Sequence, residues 1–317
     1  MWNNVSVVVT GGSGLVGINL VNRLREIGCK VRSIFHSKSP TIIHDDVEYI
    51  QSDLLLSENC TKIVKDMDYA FHTAASTSGA AAISSTPMIH VTPNVVINSY
   101  FFEACYQQGV KKVLWLSSTT GYPDSSKEVI EEEMFNDDPY DKYYYVGWMK
   151  RFTEVLCNMY SKLPKNMPIV VLRPSNIFGP YDKFDPQKSH VLPALIRKVV
   201  ERQTPIEVWG DGDDERDLIY IDDMVDSIIV AMERINTYNP INIGYGRTYT
   251  VREVLKKILD IDRYSDANVI FCPDKPTMIP IRRVSIKKAK ELLEFMPKVS
   301  LEEGIKKTID FYRSTLK

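Results

Sequence analysis

The stretch VVVTGGSGLVG at residues 7–17 constrains the fold of this chain more than any other. A short β-branched run, VSVVV at 5–9, stops at glycine, which is the pattern of a buried parallel strand. Residues 14–28 then read as a helix, with Leu15, Ile18, Leu20, Leu24 and Ile27 as its apolar positions and Gly28 at its end. Gly11, Gly14 and Gly17 stand at the junction. Small residues serve three needs there: one permits a tight turn, one lets a pyrophosphate approach the backbone, and one lets helix and strand pack closely. The helix N-terminus presents free N–H groups to the anion. The junction therefore predicts an α/β sheet that binds a dinucleotide.

The remaining chain continues the rhythm. Strands are predicted at 30–35, near 47–50, at 69–72, at 112–117 and at 168–173, with helices near 57–66, 93–108 and 143–161. Repeated βα units imply a doubly wound, Rossmann-like parallel sheet covered on both faces. After about residue 175 loops lengthen, helices shorten and prolines recur (174, 180, 186, 193, 205, 240, 273, 276, 280 and 297). Residues 1–175 are read as the dinucleotide-binding domain and 176–317 mainly as a smaller C-terminal lobe over the carboxyl edge of the sheet, where such folds bind ligands. The stretch 216–233 is expected to return a strand and a helix to the main sheet.

Composition narrows the classes. The 317 residues are 44% apolar and 25% charged, ordinary for a globular protein, and the net charge of −2 comes without a Lys/Arg run, which argues against nucleic acid or an anionic membrane as partner. The N-terminal apolar run is too short for a signal or a span. Five scattered cysteines form no CxxC pair and read as reduced thiols of a cytoplasmic protein, and no metal site is expected.

The glycine spacing is GxxGxxG, and with SDL at 52–54, HTAA at 72–75, NVV at 94–96 and LSSTTGYP at 116–123 it resembles the extended short-chain dehydrogenase/reductase family, of the NAD-dependent epimerase/dehydratase type. The resemblance implies a cofactor cleft formed by Gly11, Ser13, Gly14, Leu15 and Gly17, by Asp53 and Leu54 near the adenine, by Ala74 and Ala75, by Lys150, and by Pro174, Asn176 and Ile177; Asn94 matches a largely structural asparagine. At the end of the second strand an acidic residue would bind a ribose 2′-hydroxyl. Phe35 stands there instead, followed by His36, Ser37 and Lys38, which are donors for a 2′-phosphate, so NADP(H) is favoured over NAD(H).

The family resemblance also implies a hydroxyl residue, a tyrosine and a lysine at the reacting carbon, working by general acid–base catalysis with electrostatic support. Ser118 matches the hydroxyl residue and Lys150 the lysine, but four residues before Lys150, where the tyrosine belongs, stands Val146. Tyr145 is five before the lysine, about 140° away around a helix, and Tyr143 is seven before, on the lysine's face but about 10 Å down the axis. All three tyrosines at 143–145 read as packing at the helix start. A substitute acid (Thr119, a water, or His190), an inactive relative and an introduced substitution stay open.

The stretch LRPSNIFGPYDKFDPQKSHVLPALIRK at 172–198, continued by EVWGDGDDERDLIYIDDM at 207–224, closely resembles the GDP-L-fucose synthase branch of the family. That likeness implies a nucleotide-diphosphate sugar, a GDP-sugar by preference, as substrate. It places Asn176 at the sugar-nucleotide phosphates, His190 as a general acid with Val191 beside it, and Lys198, Trp209, Arg216 and Arg282 around sugar, phosphates and nucleotide. The branch carries a cysteine as epimerisation base, and Thr119 is read as its counterpart; a threonine hydroxyl is a far poorer base than a thiolate, which argues against 3,5-epimerisation. The function expected is hydride chemistry at sugar C4. The alternatives are a 4-epimerase or dehydratase that recycles its cofactor, and a catalytically silent nucleotide-sugar binder. A helix face carrying Trp148, Phe152, Val155 and Leu156 suits a homodimer, since relatives pair through a four-helix bundle at this helix.

Overall fold

The computed structural model describes residues 2–77, 86–186 and 188–316. Its centre is a seven-stranded sheet in which every neighbouring pair is parallel. In chain order the strands are β1 (Ser6–Thr10), β2 (Lys30–Phe35), β3 (Val47–Gln51), β4 (Tyr69–His72), β5 (Lys112–Leu116), β6 (Ile169–Pro174) and, much later, β10 (Ile241–Ile243). Their spatial order is β10-β6-β5-β4-β1-β2-β3. Val7 and Val9 enter one core with Leu20 and Leu24 of α1 (Leu15–Glu26) and Ile228 of α6 (Ile221–Arg234). Val8 enters a second core with Ile63 of α2 (Ser57–Val64) and Phe101, Phe102 and Cys105 of α3 (Met88–Gln108). Both faces of β1 are thus buried, which is why its sequence is an unbroken apolar run.

Chain order reverses at β1. β2 and β3 lie to one side of it, β4 to β6 to the other, and this switch opens a crevice at the carboxyl edge. Gly11 closes the crevice floor at φ +75°, where a Cβ would come 2.8 Å from the backbone nitrogen of Ala74. A Cβ at Gly17 would come 2.1 Å from the carbonyl oxygen of Gly11, so α1 can seat on β1 only with glycine there.

Two expectations are corrected. The helix expected from 93 begins at Met88, with Pro93 inside it. Proline removes the N–H that would bind the carbonyl four residues back; that carbonyl, of Ile89, accepts from the Ser76 hydroxyl at 3.5 Å. Asn94 secures the same place by accepting from the Ser76 N–H at 2.9 Å and donating to the Ser76 carbonyl at 2.9 Å. Second, the strand at 216–220 does not return to the main sheet. As β9 (Glu215–Tyr220) it belongs to a separate sheet with β7 (Asn176–Phe178), β11 (Thr248–Thr250) and β13 (Ile281–Arg282), while α6, which follows it, packs on α1 and the main sheet. The strand that joins the main sheet is β10, beside β6. The second lobe also carries α5 (Val191–Val200), α7 (Val251–Ile261) and α9 (Leu301–Thr315), and a parallel pair of β8 (Ile206–Trp209) and β12 (Val269–Cys272).

A buried polar chain ties the glycine turn to α4 (Tyr144–Ser161). His72, at the end of β4, is 1% exposed and stacks on Phe101 with ring centroids 4.2 Å apart. Its Nε2 lies 2.9 Å from Asn98 Oδ1, which can only accept, so Nε2 carries the proton and Nδ1 accepts from the Thr10 hydroxyl at 2.7 Å. Asn98 Nδ2 donates to the Thr153 hydroxyl of α4 at 3.2 Å. Burial lowers the His72 pKa from 6.5 to about 3, with the Asn98 bond opposing and the Lys150 charge assisting. Between those values the unfolded chain holds a proton there that the folded chain does not, so stability falls as pH falls, by about 1.4 kcal/mol per pH unit from this group. Urea unfolding at pH 7 and pH 5 is expected to show a roughly 2 kcal/mol larger acid loss in the wild type than in His72→Gln. Equal losses in the two proteins would show that His72 is not neutral in the fold.

Candidate active site

The glycine crevice suits a dinucleotide. Gly14 caps α1 without any side-chain hydrogen bond, and the first turn holds no acidic residue, so its N–H groups and positive end stay available to an anion. A Cβ on Gly14 would touch nothing closer than the Gly11 oxygen at 3.4 Å and would stand in the space before the helix, the room a pyrophosphate needs. Ser13 and Leu15 are half-buried on this turn. Gly12, not singled out from sequence, is required for packing, since its Cβ would fall 2.0 Å from the Ser33 hydroxyl of β2. At the end of β2, His36, Ser37 and Lys38 are exposed; on the next strand's exit Leu54 is buried, and Asp53 accepts from the Leu55 N–H at 3.0 Å. Ala74 donates its N–H to the Thr10 hydroxyl at 3.2 Å, and Ala75 is exposed beside it. Lys183, unmarked in the sequence reading, reaches over from the loop after β7 and donates to the Thr77 hydroxyl at 2.9 Å. Burial lowers its pKa, and Lys188 and Lys38 add repulsion that Asp182 opposes.

Two strands along the same edge, Ser118 and Lys150 occupy the exit of β5. Ser118 Oγ accepts from the Thr120 N–H at 3.1 Å and from the Thr120 hydroxyl at 3.0 Å. It is therefore Thr120 rather than Thr119 that couples to the serine. Lys150 Nζ donates to the Leu116 carbonyl at 2.9 Å and stands 4.8 Å from the Trp115 ring centroid. Desolvation lowers its pKa to about 8 against the opposing charge of Glu154. Val146 is 8% exposed, with no proton to give. Of the three tyrosines, Tyr144 and Tyr145 are 40% and 53% exposed on the outer side. Tyr143 ends a 3-10 turn before α4, outside its helical register, and faces the other lobe; burial raises its pKa while Arg216, Arg282 and a bond from the Ile279 backbone oppose the rise.

Behind this face lies a buried ionic cluster. Arg173 binds Glu154 through Nε at 2.9 Å and Nη2 at 2.6 Å, and the two side chains are 2% and 0% exposed. Its Nη1 donates to the Tyr122 hydroxyl at 2.9 Å and to the Glu131 carbonyl at 2.8 Å. Glu154 also accepts from Ser117, and the Tyr122 hydroxyl donates to Asn242 Oδ1 at 2.7 Å. Burial works against the Arg173 charge, but Glu154 more than offsets it and the pKa rises.

The second lobe brings its residues in unevenly. Asn176 is exposed and donates to the Asp217 carbonyl at 3.0 Å; Pro174 is buried and Ile177 half-buried on either side. Arg216 pairs with Asp214 at 2.9 Å, Lys198 donates to the Glu207 carbonyl, and Trp209 is 47% exposed. His190 and Val191 open α5; the His190 pKa is lowered by surrounding protein and then by the Lys183 charge, and no hydrogen bond joins His190 to Ser118 or Lys150 among the described residues. Arg282 differs from expectation. It is 5% exposed and its guanidinium donates to the Pro123 and Tyr122 carbonyls at 2.8 and 3.2 Å, which makes it a strut between the lobes.

A strand–glycine–helix crevice, a desolvated lysine held on the Leu116 carbonyl at the exit of β5, and a second lobe that Tyr143 faces together frame the candidate site. The chain belongs to the NAD dependent epimerase/dehydratase family, which it matches over residues 7–244. It is 27% identical over 317 residues to GDP-L-fucose synthase 1 of Arabidopsis thaliana, an alignment covering 98% of this chain and 93% of that one. Among solved structures it is similar to the UDP-glucose 4-epimerase of Thermotoga maritima with UDP-glucose, at 27% identity and a TM-score of 0.88, covering 98% of this chain and 100% of that one. It is also similar to the UDP-glucuronic acid 4-epimerase of Bacillus cereus in complex with UDP-glucuronic acid and NAD, at 26% identity and a TM-score of 0.85, covering 98% and 99%.

Glu154→Gln strands the Arg173 charge in the core. Breaking a buried pair on one side costs about 3–5 kcal/mol, whereas apolar replacement of both partners costs far less. Unfolding free energies from denaturant titration are expected to fall by that amount in Glu154→Gln and by much less in Glu154→Leu/Arg173→Met; the reverse order would refute the pair's role.

Proposed function

We propose that this protein is a nucleotide-sugar oxidoreductase acting at sugar C4, on a 4-keto sugar carried by GDP, with NADP(H) as cofactor. One observation carries the reading: Lys150 is desolvated and held on the Leu116 carbonyl, two residues before Ser118, on the sheet edge that also bears the glycine crevice. The turn from Gly11 to Gly17 would hold the pyrophosphate, Asp53 and Leu54 the adenine side, Lys150 the nicotinamide ribose, and Pro174, Asn176 and Ile177 the nicotinamide side. Reduced nicotinamide, when bound, supplies the hydrogen and electron pair for the C4 carbonyl. Ser118 orients the C4 oxygen, and the Lys150 ammonium favours negative charge developing on it. His190, at the start of α5, is the second lobe's candidate for proton transfer, although desolvation and the Lys183 charge disfavour its protonated form. Support for NADP comes from His36, Ser37 and Lys38 with no carboxylate among them. Support for GDP comes from the likeness to a GDP-L-fucose synthase.

Buried Val146 favours a second reading, a silent nucleotide-sugar binder, and the similarity to a 4-epimerase favours a third, an enzyme that recycles its cofactor. Oxidation of NADPH by a GDP-4-keto-6-deoxy sugar separates them. The wild type is expected to turn over and Lys150→Ala to lose activity. Turnover only in Val146→Tyr would favour the silent binder. Cofactor that stays bound through purification would favour recycling.

Because burial puts the Lys150 pKa near 8, its charged form is lost as pH rises through about 8. Cofactor affinity by calorimetry is expected to weaken above that pH in the wild type and to vary little in Lys150→Ala. We also propose a homodimer. Tyr145, Trp148, Phe152, Val155 and Met159 form an exposed apolar stripe at alternating spacings of three and four on α4, and α3 beside it exposes Tyr100. Leu156, expected on this face, turns inward to the second core instead. Phe152→Glu is expected to give a monomer in sedimentation; a wild-type monomer would refute the dimer.

A further inference from the structure

Val146 leaves the C4 oxygen without a phenol, yet a proton must reach it. The exit of β5 offers a source. Ser118 Oγ accepts two hydrogen bonds, from the Thr120 N–H and the Thr120 hydroxyl. With both lone pairs engaged, its own proton remains to be donated elsewhere. With the Thr120 hydroxyl donating across the 3.0 Å contact, the two hydroxyls run in series, Thr120 to Ser118 and outward. This turn is held tightly. Ser118 caps the short 3-10 segment Thr119–Gly121, and α4 presses on it through Gly147, where a Cβ would come 2.8 Å from the Thr120 carbonyl. A Cβ at Gly121 would likewise fall 2.6 Å from Met134 Sδ. The hydroxyl pair is therefore fixed by packing against the first turn of α4, where Val146 immediately precedes Gly147.

We propose that Thr120 and Ser118 form a two-hydroxyl proton relay that takes the place of the missing tyrosine. The proposal rests on the C4 reductase reading above. As the C4–hydrogen bond forms at the expense of reduced nicotinamide, the carbonyl π pair moves to oxygen. That oxygen takes the proton of Ser118 Oγ, Ser118 takes the proton of Thr120 Oγ1, and Thr120 takes one from water. The sum is one ketone, one reduced nicotinamide and one proton giving one alcohol and one oxidised nicotinamide. A new sugar alkoxide and a serine alkoxide are bases of the same class, so the transfer is close to balanced and needs no ionised acid at neutral pH. Lys150, which faces Glu154 and Cys157 on its own helix and His72 from β4, supplies positive charge nearby.

The test compares Thr120→Val, which keeps shape but removes the hydroxyl, with Thr120→Ser, which keeps it. Thr120→Val is expected to lower kcat about 100-fold with KM and calorimetric GDP-sugar affinity within about twofold of wild type, and Thr120→Ser to restore most of the rate. The wild-type rate in mixed light and heavy water is expected to fall along a curve, as for two protons moving together, and that of Thr120→Val along a line. Wild-type kcat and curvature retained in Thr120→Val would overturn the relay while leaving the reductase standing. Turnover confined to Val146→Tyr would overturn the relay but keep the nucleotide-sugar site. Absence of both turnover and GDP-sugar binding in every variant would overturn the C4 reading itself, and the relay with it.

Discussion

Arg173 and Glu154 form the interaction on which the rest of the site depends. A bidentate pair in a dry core is costly to build, because both charges lose their water, and it persists only where further hydrogen bonds satisfy every remaining group. Here they do. The guanidinium also binds Tyr122 and the Glu131 carbonyl, the carboxylate also accepts from Ser117, and Tyr122 passes the network on to Asn242 of β10. Five separate pieces of chain (β6, α4, the β5 exit, the segment around Glu131, and β10) are locked to one another behind the reacting face. Ser118 follows Ser117, and Lys150 lies one helical turn before Glu154. The same anchor thus sets the serine and the lysine.

Two further ties act with it. The neutral His72 chain joins the glycine turn to α4 through Asn98 and Thr153, a hydrogen-bonded tie between the glycine crevice and the lysine helix. Arg282 crosses from the second lobe to the carbonyls of Tyr122 and Pro123, next to the Ser118 loop. Such ties fix the Ser118–Thr120 hydrogen bonds, whose energy falls steeply with angle and distance.

The β1–Gly11–α1 unit, the order of the βα units and the positions of Ser118, Val146 and Lys150 were legible because they follow from local rules: β-branched runs, glycine spacing and helical period. The reading failed where partners are distant. The strand at 216–220 looks the same whether it pairs with the main sheet or with β7, and only the contacts of β10 decide. Pro93 reads as a helix start until the Ser76 hydroxyl is seen beside the freed carbonyl of Ile89. The neutrality of His72, within HTAA, depends on Asn98, 26 residues away.

By itself the sequence determined the family, the doubly wound class, the glycine turn between β1 and α1 and the valine four residues before Lys150, since each is written in neighbouring residues. Only the tertiary structure decided which of two adjacent threonines touches the serine, that Tyr143 faces the second lobe while Tyr144 and Tyr145 face out, and that the Arg282 cation is consumed by backbone carbonyls. Those outcomes turn on ångström-scale approach between segments far apart in the chain. Residue type and spacing carry no record of such distances until the core has packed.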